Sequence, residues 1–169
     1  FRALTLSAML FRVLDDGMRN KIDALSLQEA NGKFYPLYAT SYFLAKADMR
    51  IAPPHPLERG VNLMTALMAL KVAREKLPHE IWIHLQLAQA HAAVGQRAEA
   101  LAAIERGGQI ATKNADAIFQ MLVEDFRLTA HMLLGDKPEA LKLIAALPQR
   151  ISSFTGAWLK KDPLFAPLH

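Results

Sequence analysis

Leu87-Ala88-Gln89-Ala90-His91-Ala92-Ala93-Val94-Gly95-Gln96-Arg97-Ala98-Glu99-Ala100-Leu101 is echoed forty residues on by Leu128-Thr129-Ala130-His131-Met132-Leu133-Leu134-Gly135-Asp136-Lys137-Pro138-Glu139-Ala140-Leu141. In both copies an apolar helix ends at a glycine, polar residues follow, and Glu-Ala-Leu opens the next helix. One helix–turn–helix unit cannot bury its apolar face alone, so its recurrence predicts a stacked helical array. Such an array points to binding rather than to catalysis.

The bulk numbers agree with that class. A chain of 169 residues fits one domain with enough length to bury a core. Apolar residues make up 52% and charged residues 21%, the balance of an ordinary globular protein. Ala and Leu dominate and favour helix. No stretch alternates with a period of two for long, so almost no sheet is expected and the fold class is all-α. The net charge of +4 arises from 20 basic residues interleaved with 16 acids. No basic run exceeds Lys160-Lys161, and no aromatic residues interleave with a basic stripe, so no nucleic-acid partner is expected. The absence of Cys excludes disulfides, thiol nucleophiles and thiolate metal sites. It fits the cytoplasm and a bacterial periplasm alike, with the cytoplasm slightly ahead. No run of about 18 uncharged apolar residues occurs, so no membrane insertion is expected. The opening Phe1 leaves room for a longer protein around this segment.

Along the chain, apolar spacing predicts helices over 3–15 and 18–30, an N-terminal hairpin. A third is expected over 35–50, with Pro36 in its first turn. Ile51-Ala52-Pro53-Pro54-His55-Pro56 cannot be helical and reads as a stiff surface loop. Helices are then expected at 57–77, 79–94, 97–107, 115–134 and 137–147, with a short one around 151–160. Gly95 and Gly135 suit the left-handed position that closes a helix. Asp136 is expected to cap the next helix, with Glu139 completing a capping box. Asn114 or Asp116 is the expected cap before Phe119.

These residues resemble tetratricopeptide repeats. Aligned on Gly95, Leu87 and Ala88 take the large and small positions of helix A, and His91 falls where Tyr is usual. Ala100, Ile104 and Gly107 take the small, bulky and small positions of helix B. Aligned on Gly135, the same places are held by Arg127, Leu128, His131, Ala140, Ile144 and Leu147. One repeat earlier, Ala66, Leu70, Ala73 and Pro78 match helix B, and 35–50 would be its helix A. The period is 40 rather than 34, which puts about six extra residues around 108–116. His84 sits where Trp is usual. The tail Trp158-Leu159-Lys160-Lys161-Asp162-Pro163-Leu164-Phe165 looks like the segment that closes many bacterial arrays of this family. The resemblance implies a single domain, an α-solenoid of about eight or nine helices. It would comprise an N-terminal hairpin over 1–34, about three repeats over 35–148 and a capping segment over 149–169. A HEAT-like array is the alternative fold, since its period also fits.

The residues offer little reactive chemistry. His84 and His91 share a helix face, yet their spacing of seven is wider than helical metal pairs use, so no metal is expected. His91 and His131 read instead as the packing residue of the repeat. Glu124-Asp125 are adjacent and point apart on a helix, so they do not form a ready acid–base pair. Gly107-Gly108 has no Lys-Ser/Thr after it and is no phosphate loop. No catalytic residue and no cofactor is expected. Met64, Met68, Met121 and Met132 could line an adaptable groove, with the core as the favoured place for them.

The family lines its concave face mainly with helix A. Carried over by position, that face would present Trp82, Leu85, Gln89 and Ala92, then Leu122, Asp125, Thr129 and Met132. Tyr38, Tyr42 and Lys46 are further candidates. Some members clamp a C-terminal carboxylate with Lys and Asn residues. The corresponding places here hold Leu85 and Gln89, then Asp125 and Thr129, so that clamp is missing. The resemblance therefore implies a protein- or peptide-binding scaffold, part of a larger bacterial regulatory or assembly protein. Its ligand would be an amphipathic helix or extended segment, with Trp82 as leading anchor. Trp82 could equally be covered by the neighbouring helix, and Leu122 and Met132 by the C-terminal segment. A ligand-sensing domain and a self-association module, hence a homo-oligomer, are the alternatives.

Overall fold

The computed structural model describes residues 56–150 and 152–168. The helices expected over 3–15, 18–30 and 35–50, all but the last residue of the proline loop, and Tyr38, Tyr42 and Lys46 lie outside these residues. The chain divides into two compact units, Phe1–Pro78 and His79–His169. Among the described residues every element is helical and no strand occurs.

In the first unit, α1 spans Pro56–Lys76. A proline in the first turn has no intrahelical N–H to lose, and Leu77-Pro78 ends the helix. Leu63, Ala66, Leu67, Leu70 and Ala73 form its buried face. The sequence favoured the core for Met64 and Met68, and the structure corrects this. They are 56% and 67% exposed on the opposite face.

In the second unit, α2 spans Ile81–Ala93, α3 Arg97–Lys113, α4 Ala117–Leu133 and α5 Lys137–Ala146. Helix α2 packs on both α3 and α4, α3 packs on α4, and α4 on α5. Helix α3 runs straight through Gly107-Gly108, so the expected stop at residue 107 is corrected. The residues beyond a 34-residue period are therefore helical turns and not a loop. A methyl group on Gly107 would stand 3.4 Å from Leu85 Cδ2 and 3.6 Å from His84 Cβ, and one on Gly108 3.6 Å from Val123 Cγ1. Both glycines lie where α3 meets its neighbours, and an added methyl at either would make only ordinary contact.

Three turns join these four helices, and all three share one geometry. The amide of Gln96 donates to the carbonyl of His91 and that of Gly95 to Ala92. The same pair of bonds recurs from Asp116 to Ala111 with Ala115 to Thr112, and from Asp136 to His131 with Gly135 to Met132. Each is a Schellman closure with its pivot in the left-handed region. The pivots are Gly95 at φ 78°, Ala115 at φ 51° and Gly135 at φ 72°, one every twenty residues.

The side chains distinguish the three turns. His91 Nδ1 lies 2.6 Å from Gln96 Oε1, and His131 Nδ1 lies 3.0 Å from Asp136 Oδ2. Each imidazole thus holds the residue whose amide its own carbonyl already holds. The two histidines are buried and also clamp the turn. In the middle turn Ala111 replaces the histidine, and Asp116 is left to cap α4, its Oδ1 accepting from the amides of Ile118 and Phe119 at 3.0 Å each. Asp136, expected to cap α5, makes no such bond. Its carboxylate accepts from His131 and from Arg97 at the start of α3. Two competing donors outweigh the single cap bond.

The tail differs from the single helix expected around 151–160. A 3-10 turn over Leu147–Gln149 is followed by non-helical chain, then α6 over Gly156–Lys161 and a 3-10 turn over Pro163–Leu168 that packs on α4. Thr155 Oγ1 caps α6 by accepting from the Trp158 amide. Phe154 stands edge-on to both Trp158 and Phe165, with ring centroids 5.9 and 5.5 Å away. Asp162 is buried and accepts from Trp158 Nε1 and the Leu164 amide.

Candidate functional site

Helices α3 and α4 pack side by side and leave an open groove of about 630 Å³ between their outer faces. From α3 come Glu105, Gly108, Gln109, Thr112 and Lys113, which recur at helical spacing on one face. Helix α4 contributes Gln120, Val123, Glu124 and Arg127 in the same way. Gly108 and Val123 face each other and make an apolar floor. The rim is polar.

Arg127 organises one end of the groove. Its Nη1 donates to Glu105 Oε1 across the groove at 2.8 Å, and its Nε donates to Glu124 Oε1 one turn away at 3.3 Å. Partial burial on its own lowers the affinity of the guanidinium for its proton. The hydrogen bond to Glu105 and the charges of Glu124 and Glu105 more than reverse this, so Arg127 lies above its ordinary value. Gln109, Gln120, Thr112 and Lys113 complete the wall. Two acids face two bases, so the groove carries no net formal charge. The amide and hydroxyl groups offer both donors and acceptors, as a backbone segment requires. Among the described residues, no three His, Cys, Asp or Glu side chains are grouped closely enough to hold a metal ion.

The residues singled out from the sequence do not form this groove. Leu85 is fully buried, with its side chain against Gly107 of α3, so it belongs to the packing of that hairpin. Gln89, Ala92, Thr129 and Met132 are buried as well. Trp82 is half-buried and stands edge-on to Phe119 and Phe126 of α4, with centroids 5.7 and 6.1 Å away. The neighbouring helix covers it.

Asp125 is wholly inaccessible. Its Oδ1 accepts from Arg150 Nη1 at 3.0 Å and Ser152 Oγ at 2.7 Å. Its Oδ2 accepts from the amide and hydroxyl of Ser153 at 2.7 and 2.6 Å. Thr129 Oγ1 donates to the Asp125 carbonyl. The chain's own C-terminal segment thus occupies the face of α4 at Asp125. In this structure Leu85, Gln89, Asp125, Thr129 and Met132 have no surface to offer a partner.

The groove itself was missed in the sequence. The one available signal was Arg127, a charged residue at a position where the repeat pattern calls for a large apolar one. Its partner Glu105 lies 22 residues away on another helix, a separation that helical periodicity does not reach.

Comparison of the chain with protein-family models, with curated proteins and with solved structures finds no match.

Proposed function

We propose that this chain is a protein- or peptide-binding module built as a tetratricopeptide-like α-solenoid, belonging to a larger bacterial regulatory or assembly protein. The observation that supports this most is the recurrence of one Schellman turn at Gly95, Ala115 and Gly135. It is accompanied by sequence-neighbouring helices that pack on one another in turn. Helices repeated at a fixed interval expose long inter-helix grooves, and repeat proteins bind along such surfaces.

In this reading the partner contributes an extended segment that lies in the α3–α4 groove. Its apolar side chains meet Val123 and the bare backbone of Gly108. Its backbone amides and carbonyls are met by Gln109, Thr112 and Gln120, and Arg127 with its two glutamates sets the register at one end. The face carried over by resemblance is assigned to the module's own tail instead.

A photo-crosslinking amino acid at Gln109 tests the proposal, with the same group at exposed Lys142 on α5 as control. One protein captured reproducibly from Gln109, not from Lys142, and lost in Gln120→Trp supports it. Gln120 is exposed on the rim, so the indole fills the groove without disturbing the core. Capture that is equal at both positions, or unaffected by Gln120→Trp, rejects the groove.

A further inference from the structure

Helix α1 carries a second apolar face that lies in the open. Leu57, Val61, Met64, Met68 and Val72 are exposed by 75, 65, 56, 67 and 49%. They recur at intervals of four, three, four and four residues, close to the period of a seam between two packed helices. The opposite face is already buried at Leu63, Ala66, Leu67, Leu70 and Ala73.

Two details within the stripe suit close helix contact. Gly60 lies inside the helix, and a methyl group there would meet nothing within 4 Å. Among the described residues nothing calls for a residue that weakens the helix there. An approaching helix backbone would. Thr65 donates its hydroxyl to the Val61 carbonyl at 2.8 Å, so it needs no water and leaves a methyl group to pack.

We infer that this face pairs with the same face of a second copy of the chain, as an antiparallel two-helix seam whose two-fold axis passes between Met64 and Thr65. That register sets Leu57 against Val72 of the second copy and Val61 against its Met68. Gly60 meets Ala69 there, small against small. A parallel seam would instead place Lys71 beside its own copy and align the two helix dipoles, both unfavourable. At the exposures above, the stripe offers about 500 Å² per copy, so a pair removes about 1,000 Å², the lower bound for a specific interface. An interface at that lower bound suits a reversible dimer. The inference rests on α1 alone and is independent of the groove between α3 and α4.

Sedimentation of the 169-residue chain from about 1 to about 300 μM tests it, since a dimer of this size responds to concentration. The mass should rise from one to two copies, and Met68→Glu should weaken association about tenfold or more. The helical circular dichroism of that variant should stay unchanged, because Met68 is 67% exposed; Val61→Ser is the milder second variant. The chain contains no Cys, so introduced thiols report single positions. An oxidised mixture of Leu57→Cys and Val72→Cys chains should crosslink to each other, and neither should crosslink alone. A single-copy mass at every concentration overturns the inference. So does a dimer indifferent to Met68→Glu, or a Leu57→Cys chain that crosslinks to itself.

Discussion

Ser153 donates both its backbone N–H and its hydroxyl to one oxygen of Asp125, across 28 residues of chain. Arg150 and Ser152 take the other oxygen, and the carboxylate is wholly inaccessible. A buried carboxylate is tolerated only when its lone pairs are met. The tail is therefore fastened to the middle of α4 by a polar lock as well as by the Phe154, Trp158 and Phe165 cluster.

Removing that acceptor should cost much more than removing one donor. Asp125→Ala removes the shared acceptor of four hydrogen bonds, the Ser153 amide among them, and should destabilise the chain by about 3–5 kcal/mol. Ser152→Ala should cost about 1 kcal/mol. Urea unfolding gives both values. Amide exchange at Ser153 and Phe154 should quicken in Asp125→Ala before that of α3 does. If the tail stays as protected as in the parent, the lock is not what holds it.

Ala115 is the pivot of the middle turn at φ 51°, where the other two turns use glycine. A side chain in the left-handed region costs roughly 1 kcal/mol relative to glycine. Ala115→Gly should therefore stabilise the second unit by about that amount, and Gly95→Ala and Gly135→Ala should each destabilise it similarly. A methyl group meets nothing within 4 Å at either glycine, so the effect is purely one of backbone. Thermal midpoints that move the opposite way would disprove the assignment.

Gly107 and Gly108 should separate on substitution. At Gly108 an added methyl finds only ordinary contact with Val123, so Gly108→Ala should gain about 0.5–1 kcal/mol of helix propensity. Gly107→Leu must push Leu85 and His84 away and should lose about 1–3 kcal/mol by overpacking. Chemical denaturation of the two variants side by side decides the matter.

Asp136 carries a pH signature. The hydrogen bond from Arg97 outweighs partial desolvation and, with His131, holds its carboxyl below the ordinary value of 3.8. A lowered carboxylate contributes stability that is complete above 3.8. That stability is lost as pH falls through the still lower folded value. The difference in urea midpoint between the parent and Arg97→Gln should therefore be constant at neutral pH and close in the acid range below 3.8. Arg97 is half exposed, so molar salt should also narrow the gap. A gap that persists in acid would show that Arg97 acts through packing.

Much of the helical plan was legible because it is local. The glycines at 95 and 135 set their turns by backbone freedom alone, and Asp116 caps α4 through bonds to residues two and three positions on. Ala100, Ile104 and Ala140 fall on buried or partly buried faces by periodicity. The stop expected at Gly107 failed because a glycine signals both a helix end and a close helix contact, and only the neighbours choose. Met64 and Met68 were misplaced because an apolar residue reads the same on a core face and on an open one.

The candidate site was less legible still. Trp82, Asp125 and Thr129 were chosen by position in a repeat, and position does not reveal what covers a side chain. Arg127 looked like a flaw in the pattern, and its meaning came from Glu105 on the facing helix.

The sequence by itself determined the helical class and the pivots of two turns, and it narrowed the cap of α4 to Asn114 or Asp116, because these depend on dihedral preference and on bonds within a few residues. Tertiary structure decided that α3 continues through two glycines, that Asp136 serves Arg97 rather than α5, and that the tail claims Asp125. Each of these turns on which distant donor or side chain arrives first at a given group. That depends on the packing of whole helices, which no local preference encodes.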